Sequence, residues 1–165
     1  MAVLRLEGLV NMNAQPAAHR GQPLAVSYET RVRQACALIA GNHADARSYL
    51  ECICYAARLM DDAVDADHGP VNYHQLFHVL LVELPANPFF QAHREALIAM
   101  HSATLNAWQD ADAWLAHQDI RRQHALVFRD YLTELGLLVA CLVGGYAHRR
   151  TISLQVRELL LKPES

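Results

Sequence analysis

The run Ser48–Pro70, SYLECICYAARLMDDAVDADHGP, decides how the whole chain is read. Tyr49, Leu50, Ile53, Ala56, Ala57 and Met60 recur every three to four residues, the period of a helix with one apolar face. This helix is expected from about Ala44 to Ala66, with a stop at Gly69-Pro70. Its last turns carry Asp61, Asp62, Asp65 and Asp67. Asp61 and Asp65 share a helix face, and Asp62 lies about 100° around from Asp61. Like charges at i,i+4 cost an isolated helix roughly 0.2–0.5 kcal/mol per pair. The negative end of the helix dipole adds about 0.3–1 kcal/mol against each nearby carboxylate. A solvated acidic end can carry the same pattern, but these aspartates close a helix that is otherwise apolar. A compensating cation is therefore the expectation.

Working outwards, most of the chain reads as helix. Residues 1–26, with Gly8, Pro16, Gly21 and Pro23 and no sustained period, read as an irregular N-terminal arm. Residues 27–165 read as one all-α domain of five to six helices. The first is capped by Ser27 and stops at Gly41-Asn42. Asn72 caps a third that ends before Pro85, and Asn87-Pro88 opens a fourth reaching Trp114. A fifth starts at about Asp119, with a break expected near Gly144-Gly145 and a short terminal helix from Thr151. No run alternates with period two, and no repeat is evident.

Composition narrows the function classes. The chain has 165 residues, 53% of them apolar, which is ample for a single core. Its formal charge of −3 offers no basic surface for duplex nucleic acid. The apolar runs Leu76–Leu84 and Leu135–Val143 fall short of the roughly 20 residues of a membrane span. The N-terminus lacks a secretory pattern, so a soluble cytoplasmic protein is expected. Cys36, Cys52, Cys54 and Cys141 form no CxxC pair and are read as buried thiols.

The acidic helix end suits Mg²⁺ bridged to a phosphate ligand. That ion takes one or two carboxylate oxygens, keeps waters, and completes its octahedron with phosphate oxygens. Arg58, and Arg47 further back, provide guanidinium groups on the same helix for the remaining phosphate charge.

The run NHADARSYLECICYAARLMDDAVDAD resembles the first aspartate-rich helix of class I isoprenoid synthases. The arrangement of Arg58, Asp61, Asp62 and Asp65 is most similar to the squalene and phytoene synthase branch. The resemblance implies an α-helical bundle in which these aspartates hold two or three Mg²⁺ ions against the diphosphate of a prenyl substrate. The metals would help the diphosphate leave, giving prenyl transfer or cyclisation through an allylic cation.

A second acidic helix must then face the first. LVFRDYLTELG resembles the second motif of squalene synthases, which implies Asp130 and Glu134 as further metal ligands and Arg129 as a diphosphate partner. LNAWQDADAW, with Asn106, Asp110 and Asp112, is the alternative and resembles the second motif of terpene cyclases. Asp65 and Asp130 are only 65 positions apart, less than the family's spacing, so the chain reads as a short relative. A two-fold homodimer is one route to completing such a site.

Other readings stay open. His74 and His78 have the i,i+4 spacing of paired zinc ligands, but without the glutamate of HExxH they read as ordinary helix-face residues. Phe89, Phe90, Trp108, Trp114, Phe128 and Tyr131 suit either a core or the aromatic wall of a prenyl cavity. An all-α Mg²⁺-dependent nucleotide pyrophosphohydrolase is the runner-up enzyme, although Glu29 and Glu51 stand alone where a Glu-x-x-Glu run is expected. A non-catalytic helical binding or assembly protein is the third class.

Overall fold

The computed structural model describes residues 27–65, without the Asp65 side chain, and 72–161. The N-terminal arm, Asp67, the Gly69-Pro70 stop and the last four residues lie outside the described residues. Those described are helical, with no strand among them. The elements are α1 (Tyr28–Ala40), α2 (Ala44–Asp65), α3 (Tyr73–His78), a π-helical stretch (Val79–Glu83), α4 (Leu84–Ala86), α5 (Pro88–Ala92), α6 (Arg94–Leu115), α7 (Ile120–Arg129) and α8 (Tyr131–Leu161).

Several boundaries follow from capping chemistry. The Ser27 hydroxyl accepts the Thr30 N–H at 3.3 Å, and the Asn72 side chain accepts that of Gln75 at 3.1 Å. Asn87 does more. Its Oδ1 accepts the Phe90 N–H at 3.0 Å, while its Nδ2 donates to the Asp45 carbonyl at 3.1 Å. One buried amide thus starts α5 and ties it to the first turn of α2.

The expected helix ends shift in three places. The third helix does not stop before Pro85. It widens into a π turn, with the Leu84 N–H bonded to the Val79 carbonyl five residues back, and Pro85 falls in the first turn of α4. There its missing N–H is not needed, and the wide turn ahead relieves the ring's pressure on the preceding carbonyls. The fourth helix is interrupted at His93, whose φ of −120° and ψ of 22° are not helical. The fifth is interrupted at Asp130, which caps α7 before α8 begins. Thr151 starts no helix, since its hydroxyl donates to the Ala147 carbonyl 2.9 Å away inside α8.

The break at Gly145 is real and sharper than a bend. Its φ of 71° and ψ of −176° lie in backbone space that glycine alone occupies readily. Arg157, beyond the break, bonds both Asp130 and Glu134 before it. In one straight helix Asp130 and Arg157 would stand about 40 Å apart. α8 is therefore two arms, residues 131–144 and 146–161, folded back on each other.

The main core brings α1, α2, α5 and both arms of α8 together. It is built from Ala35, Cys36 and Ile39 of α1, Tyr49 and Leu50 of α2, Phe89 and Phe90 of α5, and Leu135, Val139, Ile152 and Val156 of α8. Gly136 sets the approach of α8 to α1: a methyl group there would meet Ile39 Cδ1 at 2.9 Å. A second cluster, Ala111, Leu115 and Ala125 with Trp114 and Phe128 against them, closes the α6–α7 hairpin. No helix among the described residues is long and apolar enough to cross a membrane.

Candidate functional site

The acidic end of α2 leaves the core without becoming fully exposed. Ala56, one turn earlier, is buried against Leu76 and Val79, while Asp61 and Asp62 are each half-buried. Arg58 Nε donates to Asp62 Oδ1 at 3.1 Å, an i,i+4 contact between partly exposed groups. Such a pair is worth about 0.2–1 kcal/mol, so it is easily exchanged for another anion.

The start of α1 lies alongside this end. The Arg31 guanidinium carbon stands 5.7 Å from the centre of the Tyr28 ring. Burial raises the Tyr28 phenol, and Cys54 and Asp61 push in the same direction while Arg31 and Arg58 oppose them. Tyr28 is thus a neutral phenol within the electrostatic reach of Asp61 and Arg58.

The other expected site residues are placed differently. Arg47 is bonded to Glu51 at 2.9 Å, and it lies 14 residues before Asp61, or about 21 Å along the helix axis. Arg129 reaches Asp112 at 3.3 Å, and this contact joins α7 to α6. Asn106 donates to Asp110 at 3.0 Å within one helix face.

Asp130 and Glu134 are both bonded by Arg157, and Arg149 adds a contact to Glu134 at 3.3 Å. Guanidinium groups from the second arm of α8 stand where metal ions were expected. Among the described residues no three His, Cys, Asp or Glu side chains converge on a point that one ion could occupy. His78 is paired instead with Glu83 at 3.2 Å.

Two groupings escaped the sequence. Tyr49 on α2 and His101 on α6 share a hydrogen bond of 2.6 Å, inside a stack that includes Phe90. Nothing in their spacing announces a contact across 52 positions. The second is the basic stripe on the outer arm of α8. Arg149, Ser153 and Arg157 follow one another at four-residue steps with Arg150 three before Ser153, a legible pattern once that arm is known to be helical. The cysteines are free thiols. A hydrogen bond with Cys54, and then burial, push the Cys36 thiol up, and burial raises that of Cys52 to about 11.

No protein-family model, curated protein or solved structure matches the chain.

Proposed function

We propose that the chain is an isoprenoid-synthase-like protein that binds Mg²⁺ together with the diphosphate of a prenyl ligand at the acidic end of α2. The observation that carries this reading is the half-buried setting of Asp61 and Asp62, with Arg58 bonded to Asp62, at the end of a helix otherwise committed to the core. The donors suit the ion. Asp61, Asp62 and Asp65 would hold Mg²⁺, which would neutralise the diphosphate and favour its departure. Arg58, released from Asp62, would meet the remaining phosphate oxygens.

Asp130 and Glu134 enter this reading only if Arg157 and Arg149 let them go. Prenyl transfer or cyclisation by ionisation therefore depends on an acidic face from elsewhere, for which a second copy in a homodimer is the simplest source. A cytoplasmic location belongs to the same proposal.

The test is thermal unfolding with Mg²⁺, with pyrophosphate, and with both. A ligand held only by the native state raises stability by mass action, so the pair should raise Tm where neither does alone. Asp61→Asn with Asp65→Asn should remove that increment, and the metal-free double variant should be as stable as the parent or more so, because like-charge and dipole repulsion are relieved. Farnesyl diphosphate should bind more tightly than pyrophosphate. Equal affinity would remove the prenyl part of the reading, and a preference for a nucleoside triphosphate would select the pyrophosphohydrolase.

A second reading, a helical assembly protein without catalysis, is favoured by one observation. Tyr73, Phe77 and Leu81 follow at four-residue spacing and are each more than half exposed. A stable oligomer that Phe77→Ser with Leu81→Ser disperses, in a chain showing no joint response to Mg²⁺ and pyrophosphate, would select this alternative.

A further inference from the structure

The fold-back of α8 leaves a pocket of about 270 Å³, open on one side to solvent, in the crook between its arms. Leu137 reaches it from the first arm, and Arg149, Arg150, Ser153, Leu154 and Arg157 from the second. Three guanidinium groups around so small a volume are held against mutual repulsion. Part of the reason is visible. Asp130 and Glu134 engage Arg157, and Glu134 also engages Arg149, so these two arginines are fixed by carboxylates at the edge of the cluster. The five groups together still leave one positive charge, and Arg150 has no carboxylate partner among the described contacts.

Ser153 is the second observation. It is buried, yet its hydroxyl has only two contacts, to the Arg150 carbonyl and the Arg150 guanidinium, both at 3.5 Å. A well-made O–H···O bond is about 2.7–2.8 Å. A hydroxyl bonded this loosely on the wall of a cationic pocket can exchange its bond to the Arg150 carbonyl for a better one to an acceptor in the pocket.

We infer that this cavity is a binding site for a phosphate monoester, whose phosphate is taken by Arg149, Arg150 and Ser153 while its organic group lies on Leu137 and Leu154. Guanidinium forks match phosphate oxygens in pairs, and the carboxylates that hold Arg149 and Arg157 pre-organise that geometry before the ligand arrives. The pocket is large enough for the phosphate and the first part of the organic group of a small ester. The site shares no residue with the acidic end of α2 and needs no metal.

Calorimetric titration of the full chain in EDTA, with inorganic phosphate, phenyl phosphate and benzoate as probes, tests it. Phenyl phosphate should bind saturably and several-fold more tightly than inorganic phosphate, and benzoate should not compete. Arg150→Gln should weaken phenyl phosphate roughly tenfold or more, the ordinary weight of a charged hydrogen bond. Ser153→Ala should weaken it several-fold with no change in net charge, and Asp61→Asn with Asp62→Asn should leave it unchanged. Arg150 is exposed, so its variant should fold, which circular dichroism would verify. The assignment is overturned by absence of saturable binding, by benzoate competing as well as phenyl phosphate binds, by equal affinity for phenyl and inorganic phosphate, or by binding that Ser153→Ala leaves intact and added salt abolishes.

Discussion

The hydroxyl of Tyr49, on a residue with no exposed surface, lies 2.6 Å from Nε2 of His101, and this bond links α2 to α6 across the stacked ring of Phe90. Burial shifts both partners towards their neutral forms: it raises the Tyr49 phenol and lowers the His101 imidazole. Neutral imidazole accepts at one nitrogen and donates at the other, so Tyr49 can donate to Nε2 when the proton sits on Nδ1.

A pH dependence follows. The folded pKa of His101 lies below its unfolded value of 6.5, so the unfolded chain binds the extra proton first. The stabilisation is complete above pH 6.5 and declines as pH falls through that value towards the lower folded pKa. His101→Gln should flatten this acid limb, and it should cost about 1–3 kcal/mol at neutral pH if the Tyr49 hydroxyl loses its acceptor. Denaturant melts of both proteins between pH 5 and 7.5 would show it, and parallel curves would exclude it.

Asn87 performs two tasks with one amide, so Asn87→Ala should cost more than an ordinary cap. Losing the cap alone costs about 0.5–2 kcal/mol, and losing the part-buried bond to the Asp45 carbonyl adds to that. Asn87→Asp should keep the cap and lose the donation, and so fall between the parent and the alanine variant. Chemical denaturation gives the order directly.

Gly145→Ala isolates backbone strain, because nothing lies within 4 Å of the methyl group it would add. The whole cost should come from the dihedral angles, of order 1–3 kcal/mol. Gly136→Leu tests the opposite case. Its backbone is helical, and its cost, about 1–3 kcal/mol, should come from collision with Ile39. If Gly145→Ala proved as stable as the parent, the fold-back would not depend on that residue.

The all-helical class was legible because the apolar spacing of α1, α2 and α8 is the spacing that packs them: Ile39, Tyr49, Leu50, Leu135 and Val139 fall on the faces their period predicts. Capping signals at Ser27, Asn72 and Asn87 were legible for the same reason, since each acts within three residues. Asp119 was legible only as a helix start, and its capping bond to the Arg121 N–H is seen in the structure. Pro85 misled because a proline normally ends a helix, and only the wider π turn let the chain continue. The acidic pair Asp130 and Glu134 could be found by pattern, but its partners could not. Arg149 and Arg157 reach it only through the reversal at Gly145, and a reversal carries no periodicity of its own. The aspartates of α2 were visible as a cluster, while Tyr28, whose phenol feels the charge of Asp61, belongs to another helix.

The reversal at Gly145 also fixes how the chain tolerates changes of length. Turns joined by several residues absorb an insertion as slack, but here one residue separates two helical arms. Adding or removing one residue would rotate the outer arm by about 100° and slide it by about 1.5 Å. Ile152 and Val156 would swing out of the core, and Arg157 would turn away from Asp130 and Glu134 in the same step. This corner of the molecule is constrained in residue count as well as in its two glycines, since a methyl group on Gly144 would meet His148 Cβ at 2.7 Å.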